Sequence, residues 1–101
     1  MPSYKITILE QAITEIANSC IYYDNKIPGL GSEFEEEVFQ LFELIKDNPL
    51  LFPVKFANIH EAVVTRFPFV VNYEVYGKQI IVSAVFHTKQ HPDKKIKRKR
   101  K

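Results

Sequence analysis

A length of 101 residues bounds the chain to one small domain, and 46% hydrophobic with 13% aromatic content excludes a wholly disordered polymer. No run approaches the ~18 consecutive apolar residues of a membrane span, and a single cysteine, Cys20, excludes an intramolecular disulfide and a cysteine-based zinc site. The net charge of +2 is unevenly placed: residues 94–101 hold seven of the fourteen basic residues and none of the twelve acidic ones, so residues 1–93 carry −5 and the tail +7.

The tail repels itself and is expected to be disordered when free. Its contiguous cations, Lys94, Lys95, Lys97, Arg98, Lys99, Arg100 and Lys101, form a candidate nucleic-acid-binding element, because each neutralised phosphate releases a counterion. A solubility tail is the alternative. The expected organisation is a single domain over 1–93 followed by this tail. The opening Met1-Pro2-Ser3-Tyr4-Lys5 has no basic cluster followed by an apolar run, so a cytoplasmic location is the expectation.

Tyr4 to Ile8 alternates β-branched and aromatic residues and predicts a short strand. Leu9, Ala12, Ile13, Ile16, Ala17, Cys20 and Ile21 then recur at three- and four-residue steps, predicting an amphipathic helix closed by Tyr22-Tyr23-Asp24. Pro28-Gly29-Leu30-Gly31 reads as a turn. Ser32 and Glu35 have capping-box spacing for a second helix, with Glu33, Glu35, Glu36 and Glu37 opposing the positive end of its dipole. Its apolar stripe is Phe34, Val38, Leu41, Phe42 and Ile45, and Asn48-Pro49 stops it. The two helices form an antiparallel hairpin, expected to pack on a sheet through Ile13, Ile16, Cys20, Val38, Leu41, Phe42 and Ile45.

From Phe52 the chain is strand-like. Three runs, Ile59 to Phe67, Phe69 to Tyr76 and Gln79 to His87, are joined by Phe67-Pro68-Phe69 and by Gly77-Lys78. Connections this short demand an antiparallel meander. The third run is apolar on nearly both faces and reads as a central strand. The fold class is therefore α+β: an N-terminal strand, a helical hairpin, then a three-stranded antiparallel meander.

This order resembles the RelE/ParE superfamily of toxins from type II toxin–antitoxin systems, closest to its ParE-like, plasmid-stabilisation branch. Four segments carry the resemblance: Tyr22-Tyr23 with Pro28-Gly29-Leu30-Gly31-x-x-Phe34; Ile45-x-x-Asn48-Pro49-x-x-Phe52-Pro53; Arg66-Phe67-Pro68-Phe69-x-x-x-Tyr73-x-Val75; and Ala84-Val85-Phe86-His87-x-Lys89. The resemblance spans about residues 4–92. It implies a small cytoplasmic, growth-inhibitory toxin neutralised by a cognate antitoxin, with no cofactor. RelE-type members cut messenger RNA on the ribosome without a metal, whereas ParE-type members inhibit DNA gyrase and cut nothing. The fold alone does not choose between these activities.

Metal-free RNA cleavage needs a proton acceptor for the 2′-hydroxyl, a proton donor for the leaving oxygen, and cations over the phosphorane charge. The candidate catalytic residues under that reading are Arg66, His87, Lys89 and His91, with Lys55 and His60 near the start of the meander. Each has a structural alternative. Arg66 can pair with Glu74 across the hairpin, and His87, ending an apolar strand, can be a packed structural histidine. The spacing His87-x-x-x-His91 on an extended segment fixes no shared face, and no third ligand is evident, so no metal is expected. Cys20 reads as inert core, and the glutamates at 33–37 as a solvated helix start.

RelE-type members place an arginine about where Lys89 falls and a tyrosine near Lys95. Here no aromatic residue follows Phe86. The segment therefore lacks a stacking platform and a phenolic acid/base. The ParE-like, gyrase-directed reading is favoured, with ribosome-dependent RNA cleavage as the alternative. In either case an acidic, largely extended antitoxin segment is expected to cover the surface around the meander and the end of the last strand.

Overall fold

A computed structural model describes residues 4–89 of the chain. His91 and the basic residues of 94–101 lie outside the described residues. The elements run β1 (Lys5–Ile8), α1 (Glu10–Lys26), α2 (Leu30–Asp47), β2 (Val54–Phe56), β3 (Ile59–Val63), β4 (Phe69–Tyr76) and β5 (Gln79–His87). They form one five-stranded sheet of order β1-β5-β4-β3-β2, with the helical hairpin on one face. The expected α+β class and the meander are both present.

The sheet is wider than the meander. β2 adds a short, fully exposed edge strand antiparallel to β3. β1 lies parallel to β5, with Ile6 opposite Ile80 and Ile8 opposite Val82. A parallel neighbour needs a long crossover, and here the helical hairpin and the meander together supply it. β5, between β1 and β4, is the internal strand that its two-sided apolar character required.

Gly77, at φ 59°, takes the left-handed position at the start of the Gly77-Lys78 corner. The first corner is longer than expected. β3 ends at Val63 rather than running to Phe67, because Arg66 at φ 73° turns the chain out of the strand conformation. The Val64 N–H donates to the Phe69 carbonyl at 2.9 Å and closes this corner.

The start of α2 differs from the capping box. Ser32 lies inside the helix, Gly29 caps it at φ 90°, and no side chain caps from that position. Asp24, in the last turn of α1, does so instead: its Oδ1 accepts from the Gly31 N–H at 2.8 Å. Gly31 itself sits where the two helices touch, since a Cβ there would lie 2.3 Å from the Cys20 carbonyl oxygen.

The core is built from Ala12 and Ile16 of α1, Phe34, Val38, Leu41, Phe42 and Ile45 of α2, and the inward residues of the sheet. The expected apolar stripe of α2 is buried throughout. On α1, Ile16 is buried and Cys20 packs at the margin, but Ile13 is 53% exposed, contrary to expectation. The apolar arc of α1 is wider than its contact with the sheet, so Ala12 and Ile16 face inward while Ile13, Ala17 and Ile21 form a separate stripe.

β5 carries a bulge. Asn72 pairs with Ala84 but Tyr73 with Val82, which leaves Ser83 as the extra residue. Its carbonyl accepts from Gln11 Nε2 at 2.7 Å, and its hydroxyl donates to the Asn72 carbonyl at 3.3 Å. The bulge shifts the inward set from Ile80 and Val82 to Val85, and so turns His87 to the helix side.

Candidate functional site

The sequence candidates gather at one end of the sheet, where β3 turns into β4 and β5 ends. The corner carries Arg66, and β5 delivers His87 opposite Phe69, the first residue of β4. Thr88 fastens the exit of β5 to the corner by donating its N–H to the Pro68 carbonyl at 2.7 Å.

Arg66 turns toward α2. Its Nη2 lies 3.0 Å from Glu33 Oε1 and its Nε 3.4 Å from Glu37 Oε2. These carboxylates are four residues apart, hence on one helix face, and they grip the guanidinium on two sides. Its Cζ also stands 5.6 Å from the Phe67 ring centroid. Pairing with Glu74 does not occur; the Glu74 carboxylate instead accepts from the Tyr76 hydroxyl. Nor is the 33–37 cluster merely a solvated helix start, since Glu33 and Glu37 are the partners of Arg66. The charges are partly exposed, with Glu37 the most covered. Such a network contributes about 1 kcal/mol or less per pair, yet it determines which way the cation points.

His87 packs edge-on against Phe69, ring centroids 5.1 Å apart. Its Nδ1 accepts from the Lys89 N–H at 3.0 Å, so the neutral ring carries its proton on Nε2. Glu15, Asn18, Ser19 and Tyr22 of α1 line the small cleft beside it. Behind it, Phe69, Phe34, Phe67 and Tyr23 form a continuous aromatic cluster. Burial pushes the Tyr23 phenol up, as does the neighbouring Tyr22. Lys89 is exposed, one residue beyond Thr88.

The other two basic candidates lie elsewhere. Lys55 pairs with Glu61 at 3.5 Å on the opposite sheet edge. His60 is buried, donating from Nδ1 to the Phe52 carbonyl at 2.8 Å. Among the described residues no three His, Cys, Asp or Glu side chains converge to hold a metal ion. No helix among them is long and apolar enough to cross a membrane.

One surface escaped the sequence reading. Ile13, Ala17 and Ile21 of α1, with Ile8 of β1 and Phe39 of α2, line an apolar groove rimmed by Glu35. Ile21 and Phe39 are 60% and 46% exposed. The steps from 13 to 17 to 21 mark one helix face, so the stripe was visible in the sequence; its separation from the core stripe was not. Cys20 lies at the groove's inner wall. Burial pushes its thiol up, and Glu35 and Asp24 add to this, which keeps it protonated and unreactive at neutral pH.

No protein-family model matches the chain, and no curated protein matches it. Among solved structures, the chain is similar to one described as the chromosomal ParDE TA (toxin–antitoxin) system from P. aeruginosa. The TM-score is 0.76 at 13% sequence identity, over 86% of this chain and 98% of that one. At that identity the likeness is one of fold: the two chains share one architecture over most of their lengths.

Proposed function

We propose that this chain is the toxin of a type II toxin–antitoxin pair, growth-inhibitory and cytoplasmic, and that it acts in the ParE-like manner by binding a protein target such as DNA gyrase. The fold shared with a ParDE system chain supports the first part. The second rests on one observation: Arg66, the guanidinium best placed by sequence to meet a phosphate, is held between Glu33 and Glu37. A phosphorane at that guanidinium would have to displace two carboxylates. His87, its proposed acid/base companion, packs against Phe69 on the helix side.

The antitoxin is expected to supply an amphipathic segment. Its apolar residues fit the Ile13–Ala17–Ile21 groove as a helix fits a groove, and its acidic residues complement Lys89 and the basic run of 94–101. The apolar part of the interface thus moves from the meander to the hairpin.

Exposed Lys89 and the basic run favour the second reading, a ribosome-dependent and metal-independent endoribonuclease using Arg66, His87, Lys89 and His91. Induction of the chain without its antitoxin separates the two. Loss of plasmid supercoiling with messenger RNA intact is the expected result. Codon-positioned cleavage that falls tenfold or more in Arg66→Ala, His87→Ala and Lys89→Ala would establish the nuclease instead. A version ending at Asp93 must accompany the full chain, because seven cations bind ribosomes and DNA without specificity.

A further inference from the structure

The sheet has two edges without an outer neighbour among the described residues, and they differ in kind. β2 is bulged against β3 and has Lys55 at its centre. A bulge and a central lysine are devices by which edge strands avoid pairing with another chain. β1 has neither: its register with β5 is unbroken, and Ile6, Thr7 and Ile8 are β-branched and uncharged.

The backbone of β1 divides between its two sides. The N–H groups of Lys5 and Leu9 donate to the Lys78 and Val82 carbonyls at 2.9 and 3.0 Å. Alternation along the strand therefore turns the N–H and C=O of Ile6 and Ile8 to the outer edge. The side chains of the same two residues pack against the core. Ile8 also opens into the apolar groove, beside the exposed Ile13 and Phe39.

We infer that a second copy of this chain pairs with β1 across a two-fold axis at Thr7, making one continuous sheet of both copies. The edge complements itself in three respects. Antiparallel pairing centred on Thr7 sets Ile6 of each copy opposite Ile8 of the other, so the outward backbone groups exchange four hydrogen bonds and the isoleucines join the two cores. Thr7 meets its own mate, a favourable cross-strand pair. The charges at the two ends of the strand are opposite. Lys5 stands at one end, near Lys78, whose Nζ lies 5.6 Å from the Tyr4 ring centroid, and Glu10 follows the other end. Reversing one copy brings Lys5 of each beside Glu10 of its mate. Among the described residues neither Lys5 nor Glu10 has an ion-pair partner within its own chain. The strand edge alone is smaller than a stable interface, which buries about 800 Å² per partner. Ile13 and Phe39 extend the contact on the helix side. Such a dimer is isologous and closed, since each edge is consumed by its equal. The antitoxin segment proposed above for the groove then competes with the second copy at Ile8 and Ile13, so self-association belongs to the chain free of its partner. The pairing itself holds whether or not the chain is a toxin.

Sedimentation equilibrium of the full chain should give twice the 11.8 kDa of one chain, with a Kd below about 100 μM. Thr7→Lys puts like charges on the axis and should raise that Kd at least tenfold with the circular dichroism unchanged. Lys5→Glu and Glu10→Lys should each weaken the dimer severalfold, and the two together should restore it. Cross-linking gives an independent reading: in a Cys20→Ala background, Thr7→Cys should form a disulfide-linked pair on air oxidation, whereas Lys55→Cys on β2 should not. A monomer at every concentration, a dimer untouched by Thr7→Lys, no rescue by the double reversal, or cross-linking at position 55 in place of 7 overturns the proposal.

Discussion

His60 lies flat against Tyr73, ring centroids 4.8 Å apart and planes inclined by 11°. The two residues are register partners on β3 and β4, and both reach the loop after α2. The Tyr73 hydroxyl donates to the Pro49 carbonyl at 2.6 Å, and His60 Nδ1 donates to the Phe52 carbonyl at 2.8 Å. Two buried polar groups thereby satisfy carbonyls in a segment that has no sheet partner until β2. This stack joins the end of the hairpin to the sheet. Removing either donor leaves a carbonyl unpaired, at about 1–3 kcal/mol.

The same geometry makes stability sensitive to alkaline pH. Burial pushes the Tyr73 phenol up to about 12, a shift only partly offset by the Phe52 backbone. The unfolded chain releases this proton near pH 10 while the folded chain retains it. The contribution of Tyr73 is therefore fully present below pH 10 and is lost as pH rises from there to about 12, by up to about 3 kcal/mol. Urea unfolding across pH 8 to 11.5 should show this decline, and Tyr73→Phe should be less stable at pH 8 but flatter above pH 10. Parallel curves would assign the decline to other groups.

Core and groove on α1 are separable. Ile16→Ala and Phe42→Ala should each lower unfolding free energy by about 2–5 kcal/mol. Ile13→Ala, at an exposed position, should lower it by under about 1 kcal/mol yet weaken binding of the proposed antitoxin. Equal stability losses at residues 13 and 16 would show that α1 is rotated from the orientation described.

Gly31→Ala sets two effects against each other. Replacing a helical glycine by alanine ordinarily stabilises by about 1 kcal/mol. Here the new Cβ would stand 2.3 Å from the Cys20 carbonyl oxygen, a backbone atom that cannot swing aside. Separating the helices should outweigh the gain, for a net loss of about 1–3 kcal/mol. Differential scanning calorimetry should show a lowered Tm, and a raised one would mean the helices part without cost.

The Arg66 clamp is measurable as a coupling. A double-mutant cycle of Arg66→Ala and Glu37→Ala should give an interaction of about 1 kcal/mol or less that shrinks in 1 M salt. No coupling at low salt would mean that Arg66 is not held by α2 in solution.

The first strand, the helical hairpin, the α2 core stripe, the meander and its Gly77-Lys78 corner were legible in the sequence because each is local; the edge strand β2 was not. They follow from side-chain periodicity, backbone stereochemistry and short connections. What tertiary structure decided depends on partners distant in the chain or on register. The capping chemistry read at Ser32 moved to Asp24, because the packed α1 end brings a carboxylate to the α2 N-terminus. Arg66 met Glu33 and Glu37 rather than Glu74, because a left-handed residue turned it out of the sheet. Ile13 and Ile16 are equally apolar and three residues apart, and only docking on the sheet buries one and exposes the other. The face of His87 was decided by the single extra residue at Ser83: with period two, one inserted residue moves every later side chain to the opposite face. A bulge is a property of two paired strands, so its position is written in neither strand alone.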